Sequence, residues 1–229
     1  MNIIPVIDLM HGKVVHARFG QRQNYQAIQS QLCDSSAPID IVNALLELYA
    51  FKHLYIADLD AITNQGNHLA TIVQLQEQHP NLEIWLDAGI KNTKELAHWI
   101  NVKVTHIIGS ENLAEISDLI EISKVLGGRL ILSLDFNQAG FLGPEGLQNN
   151  TTDWPQKLIV MTLNRVGSNF GADTEKLTHI RNIANGREVF AAGGISNDAD
   201  IDVLNSLDIS GVLVATALHN KQINPAKHN

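Results

Sequence analysis

The sequence is poor in the residues that would point to disulfides, metals or membranes. A single cysteine, Cys33, among 229 residues excludes an internal disulfide and fits a reducing compartment. The ten histidines are scattered without the spacing of metal ligands, so we predict no metal site. No apolar run approaches membrane-spanning length. The first run is short and interrupted by Pro5 and Asp8, so we expect no signal peptide. These features predict a soluble, cytoplasmic protein.

Charge and size narrow the class of protein further. The formal net charge is −8 and the pI is about 5.6, which argues against a nucleic-acid surface. Hydrophobic residues make up 45% of the chain, enough for a large core, and the length fits one domain. We expect that domain to cover residues 1–220 and a flexible tail to follow over 221–229.

Two apolar segments, a little over half the chain apart, end in the same way. Residues 3–9 read IIPVIDL and residues 130–136 read LILSLDF. Each hydrophobic run therefore leads into an aspartate, Asp8 or Asp135. A buried strand that ends in a carboxylate is well placed for acid–base chemistry on a bound ligand.

The similarity between the two parts of the chain extends further. Residues 82–92 align without a gap with residues 187–197, and both segments contain a Gly-Ile pair followed by asparagine two residues later. Self-similarity over this distance predicts a duplicated chain. We place the two halves at about 1–125 and 126–220.

Short apolar runs alternate with amphipathic stretches, which is the pattern of a parallel sheet with crossover helices. Eight such strands in two halves predict an α/β fold of the (β/α)8, or TIM-barrel, class. The outer helices after strands five and eight should be short, because the chain leaves little room for them. Strands left bare on those sides predict a homodimer. The predicted strands are 3–8, 53–58, 82–87, 104–109, 129–135, 157–162, 188–192 and 211–215, and the predicted helices are 38–50, 67–78, 93–100, 112–125, 173–185 and 198–206.

Such barrels carry their sites at the C-terminal ends of the strands. This sequence places Asp8, Asp58, Asp87, Asp135 and Thr162 there. Asp8 and Asp135 end the first and fifth strands, which face each other across a ring of eight. Two facing carboxylates can act as base and acid if their surroundings separate their pKa values. Asp58 is equally well explained as a cap of the loop that follows it.

Glycines at the ends of the seventh and eighth strands predict a phosphate cradle. Glycine lets backbone N–H groups approach phosphate oxygens, and barrels commonly bind phosphate at this place. The predicted cradle consists of Gly193 and Gly194 after the seventh strand, with Ala215 and Thr216 after the eighth.

The duplication predicts a second cradle at Gly89, Gly109 and Ser110 in the first half. Asp87 stands beside it, and a carboxylate repels a phosphate dianion. We therefore expect this second cradle to be altered or lost. Arg18, in the loop after the first strand, is either a phosphate contact or a solvated charge.

From about residue 3 to residue 220, the chain resembles the histidine-biosynthesis barrel family, and its isomerase more than its cyclase. The most specific segment is PVIDLMHGKVV over residues 5–15. Further support comes from the segments 133–135, 162–167, 192–195 and 212–218.

The resemblance implies an aldose–ketose isomerase of the Amadori type that works without metal or cofactor. The family's substrate carries a phosphate at each end. Carried over by position, Asp8 would move the C2 proton, Asp135 would protonate the ring oxygen, and Thr162 would hold the sugar. Arg165 and Gly167, in the loop after the sixth strand, would contact the substrate.

The chain also departs from the family pattern. The family's Gly-Gly-Gly-Ile after the third strand is Asp-Ala-Gly-Ile over 87–90, and the loop after the fifth strand lacks the family's Gly-Trp. Residues 141–144 and 160–168 resemble a group from methylotrophic bacteria that is associated with methanopterin-type one-carbon cofactor synthesis. This favours a related reaction on a small phosphorylated metabolite. The family's cyclase activity and a barrel that binds a phosphometabolite without catalysis remain alternatives.

Overall fold

The computed structural model describes residues 1–17, 22–168 and 170–228. Within these ranges, eight parallel strands form a closed barrel, as predicted. Each strand pairs with the next, and pairing of the first with the eighth, from Asn2 beside Gly211 to Pro5 beside Val214, closes the ring. The strands are β1 (Asn2–Met10), β2 (His53–Asp58), β3 (Glu83–Asp87), β4 (Thr105–Gly109), β5 (Leu130–Asn137), β6 (Lys157–Thr162), β7 (Glu188–Ala192) and β8 (Gly211–Val214).

Helices surround the barrel, and several begin at residues suited to a helix start. Pro38 opens the first long helix, where its missing N–H costs nothing. Asn92 and Asn197 each accept two backbone N–H groups at later helix starts, as predicted. The helices are α1 (Pro38–Leu48), α2 (Leu59–Ile62), α3 (Leu69–Gln78), α4 (Thr93–Leu96), α5 (Ile116–Leu126), α6 (Thr174–Ile183), α7 (Asp198–Ser206) and α8 (Thr216–His219).

Three short antiparallel strands lie beyond the ring. Lys13–His16 folds back on β1 and pairs with Gln26–Ala27, while Gly140–Leu142 folds back on β5. These hairpins extend the C-terminal side of the barrel above β1 and β5, the two strands that carry the predicted aspartates.

The barrel interior is packed with large side chains. Trp85 and Phe190 meet edge to face, with ring centroids 5.0 Å apart. Because side chains alternate along a strand, every second residue points inward. The residue two positions after Trp85 is Asp87, and the residue two after Phe190 is Ala192, so both stand at the C-terminal end of the barrel. The buried interior residues are Ile4, Tyr55, Trp85, Ile107, Ile131, Ile159, Phe190 and Leu213.

The outer layer is thin where the sequence predicted it to be. In the described chain, the only helical element between β5 and β6 is a 3-10 turn at Thr151–Asp153, and α8 is a single turn. Leu147 and Trp154 are nonetheless buried, and the Trp154 indole N–H donates to the Leu147 carbonyl at 2.8 Å. The chain itself therefore covers part of this side, and the homodimer stays a prediction.

Residues 221–228, expected to form a flexible tail, pack against the barrel. Ile223 is buried, and Pro225–Lys227 forms a 3-10 turn. The His228 ring lies 2.9 Å from Asp198 of α7. Among the described residues, no helix is long and apolar enough to cross a membrane.

Candidate active site

An open cavity of about 160 Å³ occupies the C-terminal end of the barrel. One side is acidic and the other is formed by small residues and glycines. Among the described residues that line it, none is basic. The lining includes Asp8, Tyr55, Asp87, Glu111, Asp135, Met161, Gly167, Ser168, Ala192, Gly193, Gly194, Ala215 and Thr216.

Asp135 stands at the end of β5 and is buried. Its Oδ1 accepts a hydrogen bond from the Ser133 hydroxyl at 2.6 Å, and its Oδ2 accepts one from the Glu111 N–H at 3.2 Å. Its own backbone N–H donates to the Ser110 hydroxyl at 2.9 Å. The side chain is therefore fixed in one orientation. The sequence-based prediction missed Ser133, although its position two residues before Asp135 puts both on one face of the strand.

Burial raises the pKa of Asp135 from about 3.8 to about 8. The pKa of about 8 already includes a rise from the charges of Glu111 and Asp87 and a lowering by the hydrogen bonds from Ser133 and Glu111. A carboxyl group in this state keeps its proton at neutral pH and can donate it to a bound ligand.

Tyr55, on β2, is a site residue that the sequence-based prediction missed. Its phenol donates a hydrogen bond to Asp87 Oδ2 at 3.2 Å. Burial raises the pKa of Tyr55 well above its ordinary value, and the charges of Asp87, Asp8 and Asp135 raise it further. The phenol is therefore protonated and lies within electrostatic reach of all three aspartates. Side chains alternate along a strand, so the spacing of Tyr55 and Ala57 on β2 could have indicated that Tyr55 points inward.

Asp8 lies on β1 and reaches the same cavity from the opposite side of the ring. Its strand position is fixed on both edges, by Ala57 of β2 and by Val15 of the hairpin. Structure and prediction agree that Asp8 and Asp135 face one cavity.

The turn of that hairpin is held by a network below it. The Gly12 N–H donates to His68 Nε2 at 3.0 Å, and the other ring nitrogen of His68 lies 2.8 Å from Asp58 Oδ1. Asp58 also accepts the N–H groups of Ala61 and His68 and is fully buried. It is absent from the described lining of the cavity, which favours the loop cap as the explanation of this residue. Its caps and its histidine partner use both carboxylate oxygens.

The cradle predicted at β7 and β8 lines the cavity. Gly193 and Gly194 have φ angles of +99° and +87°, which favour glycine. A Cβ at Gly193 would lie 2.5 Å from the Thr162 carbonyl oxygen, and one at Gly194 would collide with the Gly171 carbonyl. Only glycine allows the β6 loop to pass this close.

The remaining residues of this cradle come from β8 and the β6 loop. Ala215 and Thr216 lie at the start of α8, where the first N–H groups of a helix have no partner within it. The Thr216 hydroxyl lies 2.9 Å from the His16 ring. Gly167 also lines the cavity, and its substrate contact stays a prediction.

The structure does not bring the second predicted cradle into the cavity. Gly89, Gly109 and Ser110 are absent from the described lining. The Gly89 N–H donates to Asp87 Oδ1 at 3.0 Å, and the Ser110 hydroxyl donates to the Leu142 carbonyl at 2.6 Å. Both groups therefore have partners elsewhere in the protein, and the loss of this cradle stays a prediction.

Two further predicted site residues, Thr162 and Arg165, are absent from the described lining of the cavity, and their substrate contacts stay predictions. Met161 lines the cavity, and strand alternation turns the buried Thr162 to the other side. Arg165 does not reach the cavity in the described structure. Its Nη1 donates to the carbonyls of Gly171 and Ala172 at 3.0 and 2.9 Å. Arg18 lies outside the described residues.

No three His, Cys, Asp or Glu side chains in the described ranges are arranged to hold a metal ion. Fold and site together define a (β/α)8-barrel protein with a carboxylate-lined cavity at the end where such barrels carry their sites.

Comparison with known proteins gives the family. The sequence model described as "Histidine biosynthesis protein" matches residues 2–224. The chain therefore belongs to this family, as the resemblance indicated.

Individual relatives cover nearly the whole chain. An uncharacterized protein of Methanocaldococcus jannaschii is 31% identical over 96% of this chain and 93% of its own length. Proteins of Pelagibacter ubique and Alkaliphilus metalliredigens are 26% and 22% identical, over 97% and 99% of this chain and 95% and 98% of theirs. Both are named 1-(5-phosphoribosyl)-5-((5-phosphoribosylamino)methylideneamino) imidazole-4-carboxamide isomerase. The chain is thus an isomerase or a diverged relative of these isomerases.

Proposed function

We propose that the protein catalyses an aldose–ketose isomerisation of the Amadori type, or a closely related reaction, on a phosphorylated sugar-like amine. The observation that carries this proposal is the presence of two carboxyl groups, those of Asp8 and Asp135, in one cavity. Asp135 keeps its proton because burial raises its pKa to about 8, and Asp8 faces it from the opposite strand.

Asp135 is the general acid in this proposal. It donates its proton to the ring oxygen of the aminosugar as the C1–O bond breaks, and the nitrogen lone pair forms a C=N bond to C1. The Ser133 hydroxyl and the Glu111 N–H hold the carboxyl group in place during the transfer.

Asp8 is the general base. It removes the proton from C2, and the electron pair of the C–H bond forms a C1–C2 double bond while the C=N electrons return to nitrogen. Proton return to C1 and loss of the O2 proton then yield the ketose. Every atom is conserved in this sequence, and no oxidant or reductant is consumed.

The cradle formed by Gly193, Gly194, Ala215 and Thr216 binds the phosphate of the substrate. The cradle offers backbone N–H groups at the start of α8 and the Thr216 hydroxyl as contacts for this phosphate. We further propose that the metabolite belongs to methanopterin-type one-carbon cofactor synthesis, on the strength of the sequence resemblance alone.

Turnover by purified protein tests the proposal. The two substrates are the ribotide for which the relatives are named and N-(5-phosphoribosyl)aniline, an aminosugar with one phosphate. Reaction in D2O reports deuterium at the reacting carbons by NMR. Asp8→Asn and Asp135→Asn should each reduce turnover by at least about 100-fold, while Asp34→Asn, an exposed aspartate outside the cavity, should not.

If folded wild-type protein shows no conversion of either substrate and no deuterium exchange, the proposed reaction is refuted. This result would favour a barrel that binds a phosphometabolite without catalysis. Full turnover by Asp8→Asn and Asp135→Asn would leave an isomerase but refute the assigned roles.

A further inference from the structure

The two halves of the barrel differ where β3 and β7 end. The last residue of β7 is Ala192, and the following Gly193 and Gly194 line the cavity. On β3 the corresponding residues are Asp87, Ala88 and Gly89, and of these three the cavity lining includes Asp87. We infer that Asp87, positioned by Tyr55, is the specificity determinant that restricts the cavity to ligands with a single phosphate.

Both oxygens of Asp87 have fixed donors. Oδ1 accepts the Gly89 N–H at 3.0 Å, and Oδ2 accepts the Tyr55 phenol at 3.2 Å. The backbone N–H that a phosphate would need at this place is thus already bound to a carboxylate. The Asp87 carboxylate thus occupies the place that a phosphate oxygen would take at this N–H.

The glycine at position 89 serves packing rather than ligand approach. Its φ is +65°, and a Cβ there would lie 2.8 Å from the Cα of Ile62 in α2. The glycine is therefore explained by the close passage of α2, with no phosphate involved.

At the end of β4, the polar groups of the second predicted cradle also have partners within the protein. The Ser110 hydroxyl donates to the Leu142 carbonyl at 2.6 Å and accepts the Asp135 N–H at 2.9 Å. A Cβ at Gly109 would lie 3.0 Å from Asp135 Oδ2. Ser110 therefore holds the backbone of Asp135, and Gly109 leaves room for its carboxyl group.

Charge strengthens the discrimination. Asp87 and Glu111 are close enough to Asp135 to raise its pKa. A phosphate dianion at this end of the cavity would meet these same charges. A substrate with one phosphomonoester and an uncharged or cationic far end avoids this repulsion. The inference rests on the proposed function for the position of the phosphate, and it excludes the two-phosphoribosyl compound for which the relatives are named.

Isothermal titration calorimetry with two probes tests the inference. D-ribose 5-phosphate carries one phosphate and D-ribulose 1,5-bisphosphate carries one at each end. Wild-type protein should bind the bisphosphate no more tightly than the monophosphate. Asp87→Ala should shift the ratio of the two Kd values by about tenfold or more in favour of the bisphosphate.

Two control variants separate the effect of Asp87 from that of cavity charge in general. Glu111→Gln removes a negative charge from the same cavity but leaves the Asp87–Gly89 contact, so it should change the Kd ratio by less than about threefold. Ala192→Asp places a carboxylate at the corresponding position of β7 and should weaken monophosphate binding by about tenfold or more.

Several results would overturn the inference. These are tighter bisphosphate than monophosphate binding by wild type, an unchanged ratio in folded Asp87→Ala, an equal shift in Glu111→Gln, or no binding of either probe. The binding ratio does not depend on turnover. Phosphate discrimination without isomerase activity would therefore refute the proposed reaction alone, and turnover of both test substrates would refute the single-phosphate restriction alone.

Discussion

Replacement of Asp135 by asparagine should remove the pH dependence of stability that this buried carboxyl group causes. Asparagine matches a protonated carboxyl group in shape, with one acceptor and a donor in place of the acid proton. It should keep the Ser133 and Glu111 contacts of the buried side chain. The variant cannot ionise, whereas the wild-type group can.

The magnitude follows from proton linkage. In the unfolded chain the carboxyl group ionises near its ordinary pKa of about 3.8, but burial raises the folded pKa to about 8. Between these values the folded protein holds a proton that the unfolded chain has released. Wild-type stability therefore falls as pH rises, by about 1.4 kcal/mol per pH unit from this group. Across the full window the effect is on the order of 5 kcal/mol.

Urea unfolding of both proteins at several values between about pH 5 and pH 8 measures this effect. The unfolding free energy of Asp135→Asn minus that of wild type should grow steadily with pH. Asp34→Asn, an exposed position, reports the effect of losing an aspartate outside the cavity. A difference for Asp135→Asn that stays constant with pH would mean that Asp135 is ionised in the folded protein. The proposed general acid would then be wrong.

Further expectations concern the interior, the cradle, the strand end and the pH profile. His106→Leu should raise the unfolding free energy in urea by about 1–3 kcal/mol, because within the described residues neither buried ring nitrogen has a partner. Burial lowers the pKa of His106 to about 4, so wild type should lose stability as pH falls from about 6.5 to 4, and the variant should lose less. Gly194→Ala should lower the thermal midpoint and weaken phosphate binding, since its Cβ collides with Gly171. Thr162→Val should leave kcat within about threefold of wild type, whereas Met161→Asp should reduce substrate affinity. Turnover should fall as pH rises through about 8, as Asp135 loses its proton.

The barrel and its two aspartates could be predicted because they follow from strong local patterns. Apolar runs define strands, and a carboxylate at a strand's C-terminal end reaches the site whenever its side chain points inward. Asp8 and Asp135 satisfy that condition. The glycine cradle at Gly193 and Gly194 was predictable for a similar reason, since consecutive glycines after a strand mark a close backbone approach.

The differences between the predicted and the observed cavity lining arise from single-residue register and from side-chain reach. A shift of one residue along β6 exchanges Met161 for Thr162, because neighbouring side chains point to opposite faces. Tyr55 lies in an ordinary apolar strand. Its hydroxyl contact with Asp87 depends on the pairing of β2 with β3, which the sequence alone does not show. Arg165 has a long side chain whose partners lie in its own loop, and sequence spacing does not fix that conformation.

Trp85 and Phe190 fill the barrel axis beneath the cavity in the described structure. A ligand that reaches the aspartates therefore enters and leaves through the same opening at the C-terminal end of the barrel. Product must leave before another substrate molecule can enter, so the two cannot occupy the protein together. Added product should raise the apparent KM and leave the maximal rate unchanged. Exchange through this shared entrance, rather than bond making, would then limit the rate whenever product dissociates slowly.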